Sequence, residues 1–387
     1  HSLSGFIRNK KTNKPLKGVT VYERNNNIYT ITDINGYYNI NLPYGKNRLE
    51  AYLINFSSNY TDIIIYNNGI LDIFLAEESE QLDEVVIDAN RNKNIRQTVA
   101  GITQIKSEEI KNIPLVLGER DILKVATTLP GINSAGEGSD GINVRGGKVD
   151  QNLFLLENGT LYNPNHFLGL FSAINPFATN DLKIYKGSIP AEHGGRLSSV
   201  FDISLKTPNN TKFKGEASIG PVTGNINIEA PVIKGKSGIM IGFRSTYSDW
   251  ILNLIDNKDL KTSNVSFYDA VIKYNYKLND NNDINLTNYY SKDKYQIASD
   301  TINSYSNIVN SLNWQHRFNN KNSLILTLAN SNYSFNINYK KNDNNKGFNL
   351  KYLINDTNLK FKFKYIYSNI HNIDYGIDLK LYNISPG

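Results

Sequence analysis

The sequence predicts a mainly β, multidomain protein: a small β-sandwich, an α+β domain, and the first strands of a large antiparallel barrel. The N-terminal part consists of short strand-like runs separated by turn residues. The middle part combines short helices with long Gly-rich loops, and from about Lys212 polar and apolar residues alternate along repeated strands. We place the domains at residues 1–76, 95–207 and 208–387, with a linker at residues 77–94.

The composition excludes several classes of protein. The 387 residues contain no run of about 18–20 apolar residues, which argues against a helical membrane protein. Aromatic residues are frequent, with 25 Tyr and 16 Phe, which favours strands. The absence of cysteine excludes disulfides, thiolate metal sites and cysteine nucleophiles. The net charge of +6 is scattered along the chain, so nucleic acid is not a predicted partner.

His1 begins directly on strand-like sequence, without the pattern of a signal peptide. We expect any such leader to have been removed or left out.

The N-terminal domain is predicted as a sandwich of about seven strands. In Tyr38–Leu42, large apolar side chains occupy every second position, as in a strand with one buried face. In the preceding turn, Asp33 is suited to accept backbone hydrogen bonds and Gly36 to adopt a positive φ. The predicted strands are Leu3–Arg8, Val19–Arg24, Ile28–Thr32, Tyr37–Leu42, Arg48–Ile54, Asp62–Tyr66 and Ile70–Leu75.

Three motifs characterise this domain: Gly5-Phe6-Ile7, Pro15–Val21, and Thr32-Asp33 followed by Gly36-Tyr37-Tyr38. With these motifs the domain resembles the carboxypeptidase regulatory-like domain, which is a prealbumin-like β-sandwich. The resemblance implies an accessory domain without a catalytic site.

The linker at residues 77–94 begins with the acidic Glu77–Glu80 and continues into a β-branched run. An exposed run of this kind can pair as an added strand with a partner's sheet edge. The alternatives are a simple linker or a last strand of the sandwich. The run consists of Leu82, Asp83, Glu84, Val85, Val86 and Ile87.

Two short helices are predicted in the middle domain. The first begins at Ser107 and ends at Pro114, and the second lies within Leu117–Leu129, closed by Pro130-Gly131. The loops that follow are unusually long for a compact domain, which indicates a functional surface.

About ten strands are predicted after Lys212. Asn358–Tyr365 alternates strictly, and tight polar turns are expected at Asn279–Asp283 and Asn319–Asn322. A soluble sandwich is the alternative, but an open sheet of this length would leave an unpaired edge strand that promotes aggregation. The strands continue to the last residue, so we interpret the chain as a fragment. The lysine face of one strand hints at an anionic partner inside the barrel: Lys360, Lys362 and Lys364.

Enzyme signatures fail in context, so we predict no catalytic residues, no metal site and no cofactor. Gly136–Gly141 has the GxGxxG spacing but opens a strand rather than a helix. Gly235-Lys236-Ser237 lacks the first glycine of a phosphate-binding loop and is expected to be a hairpin. The five histidines have no partner at the sequence spacing of zinc ligands.

The Gly-rich run that ends at Arg196 contains a series of short motifs. They are, in order, Leu129-Pro130-Gly131-Ile132, Asn143-Val144-Arg145-Gly146-Gly147, Leu155-Leu156-Glu157-Asn158-Gly159, Tyr162-Asn163-Pro164, Asn175-Pro176, Tyr185-Lys186-Gly187 and Gly194-Gly195-Arg196. In this order and spacing, the run resembles the plug domain of TonB-dependent outer-membrane receptors, over roughly residues 95–207. One departure is Asn158-Gly159, where the family commonly has Asp-Gly.

The resemblance implies a receptor in the outer membrane of a Gram-negative cell, with the N-terminal domain and plug facing the periplasm. Residues 82–87 would be the Ton box, which binds the periplasmic domain of TonB and its inner-membrane energising complex. The expected function is energised uptake of a nutrient, whether siderophore, glycan, peptide or cofactor. The expected partners are outer-membrane lipid, an extracellular ligand and, in some receptors, a surface lipoprotein. Plugged transporters close at about 22 strands, so the chain should hold about half of the barrel.

Two alternatives stay open: a non-transporting receptor or adhesin on the same scaffold, and a soluble β-rich binding protein.

Two sets of site residues follow from this interpretation. Arg145 and Arg196 are predicted to contact carboxylates of the barrel. A second set is predicted to contact a ligand, together with the loop at residues 133–140; the alternative is that these residues simply pack against the barrel. They are Tyr162, Asn163, Asn165, His166 and Phe167.

Overall fold

A computed structural model describes most of the chain, and it divides into two compact units, His1–Arg96 and Gln97–Gly387. The described residues are 1–10, 12–23, 28–53, 56, 58–76, 102–107, 118–135, 141–247, 263–297, 299–340, 347–368 and 371–387.

The first unit is a two-sheet β-sandwich. One sheet has the order β4-β1-β7, with β8 also paired to β1, and the other has the order β3-β2-β5-β6. Its core is formed by alternate strand residues such as Ile7, Val21, Tyr38 and Leu49. The strands are β1 Ser2–Asn9, β2 Thr20–Glu23, β3 Ile28–Ile31, β4 Tyr37–Asn41, β5 Gly45–Tyr52, β6 Asn59–Ile65, β7 Gly69–Ile70 and β8 Ile73–Leu75.

The predicted turn before β4 is confirmed. Asp33 accepts hydrogen bonds from the backbone of Asn35 and Tyr37 at 2.8 and 2.9 Å. Gly36 has φ +75°, a conformation that glycine adopts without strain.

The last predicted strand of the sandwich, Ile70–Leu75, is two strands, β7 and β8. Between them, the Asp72 carboxylate accepts the Phe6 N–H at 2.8 Å, where a backbone carbonyl would otherwise stand. This side-chain bond interrupts the ladder along β1, because one position of the ladder is no longer paired main chain to main chain.

The second unit begins with the domain predicted as a plug, hereafter the plug. Its central sheet has the order β13-β12-β17-β16-β9, and two hairpins flank it, β10-β11 and β14-β15. The elements are β9 Ile102–Lys106, α1 Ile122–Ala126, β10 Ile132–Ser134, β11 Ile142–Val144, a 3-10 turn Val149–Gln151, β12 Asn152–Leu156, β13 Gly159–Thr160, β14 Asn165–His166, β15 Phe171–Ser172, β16 Thr179–Tyr185 and β17 Ser199–Leu205.

The helix predicted within Leu117–Leu129 is shorter than expected. Asp121 precedes α1, and its carboxylate accepts the backbone N–H groups of Leu123 and Lys124, so it caps the helix from outside. The sequence pattern extended the helix across Gly118, whose φ of +85° is incompatible with it. The helix predicted from Ser107 lies almost wholly outside the described residues.

The second unit continues into a nine-stranded antiparallel sheet in sequence order, hereafter the wall. The predicted turns are confirmed: the side chains of Asn279 and Asn319 each accept the backbone N–H two residues on, both at 2.9 Å. The strands are β18 Lys214–Ile219, β19 Thr223–Ile233, β20 Ser237–Thr246, β21 Asn264–Asn279, β22 Asn282–Gln296, β23 Thr301–Arg317, β24 Asn322–Lys340, β25 Gly347–Ser368 and β26 His371–Ser385.

The two faces of the wall have opposite chemistry beside the plug. Most plug-facing positions are buried and polar, among them Asn227, Arg244, Asp269, Ser311 and Asn358. A smaller set of buried apolar side chains on this face packs into the plug core: Met240, Val271, Tyr289 and Val309. The opposite face exposes apolar side chains, and one row across five strands consists of leucine only. That row is Leu286, Leu312, Leu328, Leu359 and Leu379.

Farther along the strands the pattern reverses. Ser331 is buried on the plug side, and alternation along β24 places Tyr333, Phe335 and Ile337 on that same side. The outward positions there are polar, for example Ser334 and Asn336. The apolar and polar faces therefore exchange sides along β24.

No helix among the described residues is long and apolar enough to cross a membrane.

Candidate functional site

The plug loop at residues 162–167 lies against the wall. The Tyr162 hydroxyl donates to the Asp356 carboxylate at 2.5 Å. The backbone of Asn163 donates to the Asn307 side chain at 3.2 Å, and the Asn307 amide donates back to the Asn163 carbonyl at 3.1 Å. The loop is thus tied to two wall strands, β23 and β25.

His166 is the most enclosed member of this loop, with no exposed surface. Its Nδ1 lies 2.7 Å from Asp293 and its Nε2 lies 3.3 Å from Asp269, both on the wall. The ring stacks on Phe267, with centroids 4.3 Å apart. The Phe167 N–H donates to the other oxygen of Asp293 at 3.0 Å, so that one carboxylate holds two successive residues.

Arg244 extends the charged chain from the wall to the start of α1. Its Nε donates to Asp269 at 2.7 Å and its Nη2 donates to the Ser172 carbonyl at 2.6 Å. Its Nη1 lies 3.7 Å from Glu119, which also accepts a hydrogen bond from the Thr223 hydroxyl. All of these charged side chains are buried, which costs several kcal/mol for each ion unless the charges are paired.

A second contact is made by the turn Glu157-Asn158-Gly159. Glu157 forms a buried ion pair with Lys273 at 2.9 Å, and its carbonyl accepts the Ser311 hydroxyl at 2.6 Å. Asn158 has φ +71° and donates to Asn313 at 3.1 Å. Asn fits this left-handed position, so the departure from Asp-Gly leaves the turn intact.

A third contact between plug and wall involves the lysine face predicted on β25. Lys362 lies 2.8 Å from the Glu192 carboxylate, and Lys360 donates to the Glu192 carbonyl at 3.3 Å. The plug thus supplies the nearest carboxylate of Lys362, while Asp378 and Asp374 of β26 lie 3.8 Å from Lys360 and 3.7 Å from Lys362.

The two predicted arginine contacts lie elsewhere. Arg145 is exposed with φ +50°, and a Cβ placed on Gly187 would stand 2.7 Å from its guanidinium, so it lies over the plug's own turn. Arg196 donates to its neighbour, the Gly195 carbonyl, at 3.0 Å. Their contacts with barrel carboxylates stay predictions.

The predicted ligand residues Tyr162, Asn163, His166 and Phe167 all contact the wall, and Asn165, also buried, bonds within the loop to the Asn163 side chain at 3.1 Å. This geometry corresponds to the alternative of packing against the barrel. A ligand could reach His166 only after the plug had moved; the ligand role of the set stays a prediction.

Two other predicted segments lie outside the described residues in whole or in part. The TonB-contact residues 82–87 lie entirely outside them. Of the loop at residues 133–140, residues 136–140 lie outside, and Asn133 and Ser134 belong to β10. Among the described residues, no cluster of three or more His, Asp or Glu side chains could hold a metal ion.

Sequence reasoning missed the wall half of the site: Arg244, Asp269 and Asp293. Arg244 is the one charged residue of β20 and Asp269 is the one carboxylate of β21, and that pattern was the available signal for these two. Asp293 stands between Lys292 and Lys294 and gave no such signal. The partners of His166 are 103 and 127 residues away along the chain, so sequence spacing gave no sign of them.

Two family profiles match the chain. The CarboxypepD_reg-like domain matches residues 3–87, and the TonB-dependent Receptor Plug Domain matches residues 94–199. Along the chain, a CarboxypepD_reg-like domain is thus followed by a plug domain of the TonB-dependent receptors, as the resemblances implied. This family resides in the outer membrane with its plug facing the periplasm, and the chain is assigned there. A search of curated protein sequences gives no match.

Solved structures share the fold. A ferric enterobactin receptor from Pseudomonas aeruginosa has a TM-score of 0.56 and 13% identity, covering 74% of this chain and 49% of its own. A siderophore receptor from Acinetobacter baumannii has a TM-score of 0.56 and 13% identity, covering 73% and 48%. An iron transporter from Neisseria meningitidis has a TM-score of 0.54 and 13% identity, covering 74% and 50%. The chain therefore spans about half the length of these receptors.

Proposed function

We propose that the protein is an energised outer-membrane transporter, in which the plug closes a barrel that the wall begins. The observation that carries the proposal is the interface itself. The plug is held by buried polar and ionic contacts rather than by apolar packing alone. Such contacts hold firmly at rest, yet water can replace them when the plug is pulled away.

The chemistry of the wall supports a membrane position. Its outward leucine row would face lipid, and its polar face would line the lumen, as in transmembrane barrels. β24 has 19 residues, and a tilted strand needs only about 9–11 to cross the hydrocarbon. The zone of β24 where the faces reverse would then project beyond the membrane, with its polar side chains on the outer surface of the barrel.

The ligand is proposed to enter from this projecting zone. Tyr162 and Phe167 point toward it, since their rings pair with Tyr333 and Tyr295 of the wall at 6.2 and 6.4 Å between centroids. The similar structures include siderophore receptors and an iron transporter, so a ferric siderophore is the first ligand class to test.

Residues 82–87 are proposed as the Ton box, which pairs as a strand with TonB. A surface lipoprotein stays a proposed partner. A sensor or adhesin on the same scaffold would bind ligand without importing it, and only an uptake assay separates it from a transporter.

The test is uptake of a radiolabelled ferric siderophore by cells that express the full-length receptor. Val86→Pro removes a strand N–H, so we expect uptake to be lost while outer-membrane insertion is unchanged. Glu78→Pro, in the same linker but outside the proposed box, is the matched control and should transport normally. Undiminished uptake by Val86→Pro would remove the Ton box assignment.

Fractionation separates the soluble alternative. A barrel should appear in the outer-membrane fraction and migrate differently on a gel before and after boiling. A soluble protein would do neither.

A further inference from the structure

We propose that His166 is a proton-dependent latch: its protonated ring fastens the plug loop at residues 162–167 to the wall, and loss of the proton loosens that loop. The latch would regulate the plug that the proposed function displaces, and for its physiological role it rests on that function. Its geometry, however, depends only on the fold.

The positions of the two ring nitrogens carry the inference. A neutral imidazole has one N–H donor and one bare nitrogen, whereas the protonated ring has two donors. In His166 both nitrogens face carboxylate oxygens, those of Asp293 at 2.7 Å and Asp269 at 3.3 Å. A neutral ring would set its lone pair against one carboxylate. The observed arrangement is therefore that of the protonated ring.

The charges around the ring agree with this protonation state. Asp293 on β22 and Asp269 on β21 face it directly, and Arg244 on β20 shares the Asp269 carboxylate with it. Glu119 adds a third carboxylate beside Arg244, and the remaining contact is the uncharged Phe267 ring. With His166 protonated, two positive charges meet three negative ones. With it neutral, one positive charge would meet three.

The loop stores strain that the latch must hold. Phe167 and Leu168 have φ of +43° and +52°, a left-handed conformation that side chains with a Cβ rarely adopt. They directly follow His166, and Phe167 is fixed by the same Asp293. Once His166 releases Asp293, that carboxylate holds the strained backbone through the Phe167 N–H alone.

The pKa of His166 sets the direction of the pH effect. Burial alone would lower the pKa of His166, but the Asp293 charge and the hydrogen bonds to Asp269 and Asp293 outweigh it, so the pKa is raised. A raised pKa means that the latch contributes fully below the pKa of a free histidine, about 6.5, and is lost as pH rises through the folded value. The plug should therefore loosen toward alkaline pH.

The test uses one introduced cysteine, because the chain has none of its own. Ala173 is fully buried between the plug and the wall, and its carbonyl accepts the Tyr289 hydroxyl at 2.5 Å. Maleimide labelling of Ala173→Cys in the intact, purified receptor therefore reports plug loosening. Gly194→Cys, in open space on the plug, corrects for the intrinsic pH dependence of thiol labelling.

We expect the protection of Ala173→Cys relative to Gly194→Cys to fall by about tenfold or more between pH 6 and pH 9. His166→Gln should give low protection at every pH. Tyr162→Phe, which removes a plug–wall hydrogen bond that does not titrate in this range, should keep the slope. Should His166→Gln fail to insert, Asp293→Asn replaces it and should also flatten the slope. Equal protection at pH 6 and pH 9 in the receptor with His166 would overturn the latch, whatever the uptake assay shows.

Discussion

Lys273 is a charge that the fold keeps almost entirely from water. Its ammonium group lies 2.9 Å from Glu157 and 3.1 Å from the Leu205 carbonyl, and Glu157 accepts the Leu205 N–H at 2.6 Å. Plug and wall therefore share a small hydrogen-bonded cluster at this point.

Removing one partner of this pair should weaken the plug more than removing both. Lys273→Met leaves a buried carboxylate without its cation, which costs about 3–5 kcal/mol. The double variant Lys273→Met with Glu157→Gln should recover part of that loss. The urea concentration that exposes Ala173→Cys to maleimide measures both. A single variant as stable as the original chain would show that this pair does not hold the plug.

Asp202 lies in the plug sheet on β17, and its substitution is expected to stabilise the plug. Burial, together with the nearby Glu157, Asp181 and Glu192, raises its pKa to about 6 despite Lys183. Because the folded state binds this proton more tightly, stability falls as pH rises from about 4 to 6 and stays reduced at pH 7. Asp202→Asn removes this penalty, and we expect a gain of about 1–3 kcal/mol at pH 7 that shrinks at pH 4.

The urea midpoint of the intact receptor at both pH values measures the gain. A lower midpoint for Asp202→Asn at pH 7 would show that the carboxylate is needed in its charged form.

The site was only half predictable at the scale of single residues. Tyr162 and His166 stood out because their types and loop setting are unusual. Their partners, Asp356 and Asp293, sit within strands, and only the pairing of distant strands brings them to the plug. The lysines of β25 were noticed as a charged face, but their partner Glu192 lies 170 residues away from Lys362.

At the scale of elements, the turn between β12 and β13 sets how closely the plug approaches the wall. A Cβ at Gly159 would stand 2.3 Å from Val309 and 3.3 Å from Ser331, whereas one at Gly194 would meet nothing within 4 Å. Gly159→Ala should therefore push the plug from the wall, and Gly194→Ala is its matched control.

We expect Gly159→Ala to lower the urea midpoint for plug loosening by an amount worth about 1–3 kcal/mol, the usual cost of overpacking, and Gly194→Ala to leave it unchanged. Equal midpoints for the two variants would mean that the turn and the wall are free to separate at this point.

Elements were predicted best where periodicity was long. The strict alternation of the wall strands and their Asn-rich turns gave both the strand pattern and the hairpins. The helix at α1 was overextended, because its apolar spacing continued past a glycine that has a left-handed backbone. The split of the last sandwich strand depends on one hydrogen bond that the Asp72 carboxylate accepts from the Phe6 N–H, and no sequence period reveals it.

At the scale of the whole molecule, the central claim is that the wall crosses the outer membrane around its leucine row. Leu328 and Asn336 lie on the same outward face of β24, eight positions apart, one in the leucine row and one in the polar zone beyond it. Ser331 lies on the opposite face, beside the plug at Gly159.

Cysteine labelling in intact cells that express the full-length receptor tests this claim most directly. We predict that Asn336→Cys reacts with a membrane-impermeant maleimide, that Leu328→Cys reacts only with a lipid-soluble one, and that Ser331→Cys reacts with neither while the plug is in place. Labelling of Leu328→Cys by the impermeant reagent at the rate of Asn336→Cys would contradict the assignment of the leucine row to the membrane.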